Sequence, residues 1–140
     1  MSYVEKNLMK NEEILYTGNT HWSYWIKPIV LSTITSALLI SVPILLFIPV
    51  VILLNAALDY FGREIALTNK RVIGKTGFIK RTSIDSKLDK IDSVILNQGI
   101  IARVFGSGTI IISTSGLNSP FTWLDKPNDF RSAVNDKMHA

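Results

Sequence analysis

The chain has no cysteine and only two histidines among its 140 residues. The first absence excludes disulfide frameworks, thiolate nucleophiles and cysteine-bearing zinc sites. The second leaves little for metal or acid–base chemistry. His21 stands beside Trp22, His139 is next to the last residue, and neither has a partner at metal-ligand spacing, so both read as incidental polar residues. A phosphate-binding loop is lacking as well: the "GSGT" at 106–109 has Ile111 where a dinucleotide fingerprint needs its third glycine, and no Gly-Lys-Ser/Thr follows. It reads as a turn or bulge opening the next strand. Asp85, Asp89 and Asp92 form the one acidic cluster, but Lys87 and Lys90 interleave with them, which favours a solvated strand or loop face over a cation site. No catalytic constellation is present, and no enzyme activity or cofactor is expected.

Charge is missing from one long stretch. From Pro28 to Leu58, 31 consecutive positions carry no Asp, Glu, Lys or Arg. An apolar run above about 18 residues is a membrane-span candidate, because hydrocarbon tolerates only internally hydrogen-bonded backbone. A buried core helix would have to hide every face inside a chain with too few other residues to cover it. As one continuous helix the run would measure about 46 Å against a hydrocarbon core of about 30 Å. Pro43 and Pro49 are the natural interruptions, since proline removes a helical hydrogen bond. Splitting near Pro43 gives helices over about 22–42 and 44–61, an anchor occupying residues 22–61. Lys27 precedes the run and Arg63, Lys70 and Arg71 follow it, so the positive-inside tendency places both flanks in the cytoplasm, which favours a hairpin over one tilted span or a shallow re-entrant loop. Trp22, Tyr24 and Trp25 at one end and Tyr60 and Phe61 at the other suit headgroup depth; with Lys27 and Arg63 they are the expected interface anchors. Residues 1–21 read as a cytoplasmic N-terminal segment. The first 27 residues, with three Lys and three Glu, are too polar and long for the n-region of a cleaved signal peptide, so the run is expected to stay as an anchor.

The net charge of +4 is localised. Between Arg63 and Arg81 lie six basic residues against the single acid Glu64, whereas the rest of the chain has nine basic and ten acidic residues. Two readings stand for this excess. It keeps the chain end cytoplasmic and protects edge strands, or it docks the protein on anionic headgroups through Lys70, Arg71, Lys75, Lys80 and Arg81. Nucleic acid is not an expected partner, since few aromatics interleave with the charge and an anchor restricts access.

After Phe61 the pattern turns to short alternating runs. Ile65 and Leu67 alternate with Glu64, Ala66 and Thr68; Asn69-Lys70 and Thr76-Gly77 are turn signals; Val72-Ile73 and Phe78-Ile79 complete an expected three-strand meander. Runs at 93–98, 108–115 and 120–124, punctuated by glycine, extend this to an antiparallel sandwich or partly open barrel over 62–140. Pro127 then opens a helix with Phe130, Val134 and Met138 along one stripe.

The linked stretches "LTNKRVI", "KTGFIKR", "KIDSVILNQG", "ARVFGSGTIII" and "FTWLDKPNDFRSAV" resemble the membrane-flanked, YdbS-like group of bacterial pleckstrin-homology-like domains over roughly residues 13 to 136. Ser107 stands where that family usually carries a bulkier, often aromatic residue between the two glycines. The resemblance implies a PH-like antiparallel β-sandwich or barrel, capped by one C-terminal α-helix and held at the cytoplasmic face of the membrane by a transmembrane helical hairpin. It implies no reaction. The expected function is a non-catalytic interaction or scaffold module binding membrane lipid, a protein partner or another copy of itself. The alternative is a component of a membrane export or resistance system whose hairpin meets partner helices through Ser32, Thr33, Thr35, Ser36 and Asn55.

Overall fold

A computed structural model of the protein describes residues 2–140. The elements run α1 (Tyr3–Lys6), β1 (Ile14–Gly18), α2 (Ile26–Leu39), α3 (Phe47–Phe61), β2 (Glu64–Thr68), β3 (Arg71–Thr76), β4 (Thr82–Lys87), β5 (Ile91–Asn97), α4 (Ile100–Phe105), β6 (Ser107–Thr114), β7 (Leu117–Asp125) and α5 (Pro127–Met138). Two antiparallel sheets result, ordered β1-β2-β3-β4 and β5-β6-β7. The sandwich and its closing helix follow the period-two and i, i+4 patterns of the sequence.

Alternation along β2 builds the core. Ile65 and Leu67 point between the sheets to meet Val72, Ile84, Ile110 and Phe121, while α5 inserts Phe130 and Val134 from the open side. Met138 packs at the margin of this core. Ala66 faces the other way and is equally buried, because Val4 of α1 covers it together with Ile73. The first sheet is therefore partly covered on both faces.

Two expectations are corrected here. Phe78-Ile79 is not a strand: Gly77, at φ +81, turns the chain out into a loop, and the partner of β3 is Thr82–Lys87, joined from Arg71↔Lys87 to Thr76↔Thr82. Nor do residues 1–21 stand apart from the β body. Ile14–Gly18 pairs with β2, from Ile14↔Thr68 to Gly18↔Ile65. A glycine ends this strand because a Cβ at position 18 would lie 2.6 Å from Ile65 Cγ2 and 2.7 Å from Leu124 Cδ1.

The apolar run divides where proline predicted. α2 ends at Leu39, a 3₁₀ turn covers Pro43–Leu46, and α3 follows, packed against α2. Pro49 sits in the first turn of α3, where the N–H it lacks would have no intrahelical partner. Among the described residues, one helical stretch, Pro43–Phe61, is long and apolar enough to cross a membrane. Most of its large apolar side chains and those of α2 point outward, Leu38 being 77% exposed and Ile44 82%, while Ser32, Pro49 and Ala56 are buried.

Candidate membrane-facing site

Both roots of the helix pair are fastened to the end of β7. Before α2, His21 caps a 3₁₀ turn over Trp22–Trp25, its Nδ1 accepting the Ser23 backbone N–H at 3.1 Å. The His21 backbone N–H donates to the Trp123 carbonyl at 2.6 Å, and the Asp125 N–H donates to the Asn19 carbonyl at 2.8 Å. Ser23 Oγ donates to Ser107 Oγ at 3.2 Å and lies 2.7 Å from His21 Nδ1; His21, Ser23 and Ser107 are all buried. Asp125 Oδ1 is 3.8 Å from His21 Nε2, so aspartate, histidine and serine stand in a row. The row is a structural tie. Ser23 is sealed from solvent and its hydroxyl is engaged with Ser107, so no substrate atom reaches it.

After α3, the Arg63 guanidinium bonds Asp59 Oδ2 at 2.8 Å and donates from Nη1 to Thr122 Oγ1 at 2.7 Å and to the Thr122 carbonyl at 3.2 Å. It also lies 5.0 Å from the Tyr24 ring centroid. Tyr24 donates to Asp59 at 2.9 Å, and Tyr60 donates to the Thr20 carbonyl at 3.3 Å. Trp123 sits in the bulge of β7, where the pairing shifts between Gly108 and Ile110, and holds φ at 58°. A non-glycine residue at positive φ is held there by its surroundings. Here the bulge turns the indole toward the helix roots, onto Tyr24 in edge-to-face contact and under Lys27 Nζ at 5.3 Å.

Of the expected interface anchors, Trp22 and Lys27 are exposed and the Trp25 ring meets Tyr60 in a tilted contact at 5.4 Å. Arg63 is a correction, because its cation is occupied within the junction rather than offered outward. The basic segment is divided by the sheet. β2 leaves the root at Glu64 and reaches Thr68 about 13 Å away, so the Asn69-Lys70 turn lies at the end remote from the helices. There Lys70 Nζ donates to the Lys10 carbonyl at 2.8 Å. Arg71 is buried: it donates to Glu12 Oε1 at 3.0 Å, Asp85 Oδ2 at 2.5 Å and the Asn7 carbonyl at 2.6 Å, so it presents no charge to a ligand. β3 then returns toward the roots. Lys75 lies over the Tyr3 ring at 5.2 Å, and Lys80 and Arg81 are exposed in the following loop, which borders Asn55, Leu58 and Asp59 of α3.

The aspartates do not converge. Asp85 holds Arg71, Asp92 accepts the Ser115 N–H at 2.6 Å, and among the described residues no group of three metal-ligating side chains exists. Within the helices, Thr33, Thr35, Ser36 and Asn55 donate to carbonyls of their own helix four residues back, and Ser32 is buried. Those contacts leave the partner-helix alternative without a supporting observation.

A family model described as a bacterial PH domain matches residues 23–138, spanning the helix pair and the β body together. The chain belongs to the bacterial PH-domain family. Comparison with curated proteins gives no match, and comparison with solved structures gives none. PH-like domains are as a class binding modules rather than catalysts, in keeping with a site made of ties and surfaces. In this bacterial PH domain the β1 strand precedes the matched span yet completes the first sheet. The junction residues Ser23, Ser107 and Asp125 were not legible as a group, because 84 residues separate the first two and no local motif links them.

Proposed function

We propose that this protein is an integral membrane protein whose helix pair crosses the bilayer twice and holds a non-catalytic PH-like interaction module at the cytoplasmic surface. The carrying observation is the outward-facing apolar surface of α2 and α3: of the Pro43–Phe61 window only 11% is buried, which is foreign to the core helix of a soluble protein. Dimensions support two crossings. α2 with its leading 3₁₀ turn rises about 29 Å and α3 with its own about 30 Å, each close to the hydrocarbon thickness of about 30 Å. The β1–β2 pairing supports a hairpin further. Strands that precede and follow the helices in sequence are neighbours in one sheet, so both flanks belong on one side of a bilayer.

Lys75, Lys80 and Arg81 stand on the root side and suit anionic headgroups; the positive-inside tendency assigns that side to the cytoplasm. The absence of cysteine makes the test direct. Single cysteines at Ile44 and Ala140 are probed with a membrane-impermeant maleimide in intact cells and in inverted membranes. Ile44→Cys is expected to react from outside and Ala140→Cys only from inside. Reaction of both from inside, or release of the protein by alkaline carbonate, refutes the crossing.

A further inference from the structure

We propose that the β body is seated on the same bilayer by two apolar wedges, α4 and the Phe78–Ile79 tip of the β3–β4 loop, each entering the boundary between headgroups and acyl chains beside one helix root. The proposal rests on the anchoring described above.

The α4 helix is short and one-sided. Ile100, Ile101 and Val104 are 85%, 69% and 77% exposed, and with Phe105 they form one face at i, i+1, i+4, i+5. Ala102 turns inward, toward Gly108 and Trp123. The helix is fixed rather than loose: Gln98 Nε2 donates to the Ser107 carbonyl at 2.8 Å, and Gly106, at φ +79, ends it with its N–H bonded back to Arg103. Packing within the body gives this face nothing to cover. Its neighbour is the anchor, since the Phe105 ring meets Trp22 edge-on at 5.2 Å, and Trp22 opens the turn that leads into α2.

The second wedge is built on the other root. Gly77 starts a loop that borders Asn55, Leu58 and Asp59 of α3; a Cβ added at Gly77 would lie 3.7 Å from Asp59 Oδ1 and would collide with the Lys80 carbonyl of the loop itself. Ile79 at the tip is 79% exposed, and Lys80 and Arg81 follow it directly.

The occupant that fits both is a lipid surface. Each apolar tip continues the apolar surface of the helices, and each carries cations, Arg103 in α4 and Lys80 and Arg81 in the loop. No acid occurs between Asp92 and Asp125, the stretch that holds α4. An interfacial segment of this kind sinks its apolar face about 5–10 Å below the headgroups while its cations remain among them.

The full-length protein, reconstituted in vesicles of phosphatidylcholine and phosphatidylglycerol, tests this with an environment-sensitive fluorophore on single cysteines. The positions are Ile100, Ile79, Phe47 in α3, and Asn118, which pairs with Ser113 near the far end of β6, about 20 Å from α4. Labels on Ile100→Cys and Ile79→Cys are expected to show blue-shifted emission, quenching by lipids spin-labelled near the headgroup, and loss of iodide quenching. Phe47→Cys should respond to lipids spin-labelled on the acyl chains and Asn118→Cys to iodide alone. If the Ile100 and Ile79 labels follow Asn118 while Phe47 stays lipid-quenched, the wedges are refuted and the anchor stands. If Phe47 is not lipid-quenched, the anchoring itself fails. Labels shielded from both iodide and lipid mean that protein covers α4, which also overturns the proposal.

Discussion

Arg71 Nε donates to Glu12 Oε1 at 3.0 Å, joining a strand that follows the helix pair to a residue that precedes it. Glu12 also accepts from the Met9 backbone N–H at 2.6 Å and from Thr68 Oγ1 at 2.7 Å. Burial by itself raises the Glu12 pKa, but the bond from Arg71 and those from Met9 and Thr68 outweigh it and hold the carboxyl at about 2, against 4.5 ordinarily. Burial works against the Arg71 cation too, while the Glu12 bond leads in raising its pKa. The pair thus ties the segment before the helix pair to the sheet that follows it, at the end of the sheet remote from the helices.

A pH dependence follows from the depressed carboxyl. Because the folded value is below the unfolded one, Glu12 stabilises the fold fully above about pH 5, and this contribution, on the order of 3 kcal/mol, drains as pH falls toward 2. Unfolding of the full chain in detergent between pH 7 and pH 3 should show wild type losing its advantage over Glu12→Gln. Parallel curves for the two would sink the assignment. At pH 7, Arg71→Met leaves a buried carboxylate unpaired and should cost about 3–5 kcal/mol, part of it restored by adding Glu12→Gln.

Arg63 is expected to couple anchor to body. Arg63→Ala removes the donor to Thr122 and frees Asp59, a loss of about 1–3 kcal/mol. Amide exchange at residues 122–125 and 60–64 should accelerate together, and Arg63→Lys should rescue only partly because it lacks the planar fork. Exchange unchanged in Arg63→Ala would show that the helices are held by other contacts.

The division of the basic segment predicts an asymmetry. In nanodiscs, exchange at residues 77–81 should slow when neutral lipid is replaced by anionic lipid. Lys80→Glu with Arg81→Glu should abolish that protection, at about 1 kcal/mol per charge. Lys70→Glu, at the remote end of the sheet, should leave it intact. Equal effects from both ends would mean that the charge acts through the overall field instead of by contact.

How much of this was legible in the sequence varies by element. The break at Pro43, the strands β5, β6 and β7 and the helix opening at Pro127 were readable, since proline geometry and apolar periodicity act over a few residues. Phe78-Ile79 misled for the same reason: an apolar pair after a turn signal looks like a strand, but positive φ at Gly77 projects it outward, and the edge of the sheet was taken by the less apolar Thr82–Lys87.

The sequence by itself determined a 31-residue uncharged run, a β body with a closing helix, and a concentration of positive charge just after the run. Tertiary structure alone decided what those charges do. Arg71 is internal because Glu12 and Asp85 surround it, Arg63 is a clamp because Thr122 lies within reach, Lys70 is remote because β2 carries it away, and Lys80 and Arg81 return to the helices because β3 reverses direction. Composition counts charges one at a time, whereas burial and partners are set by residues that lie tens of positions away and meet only when the sheet closes.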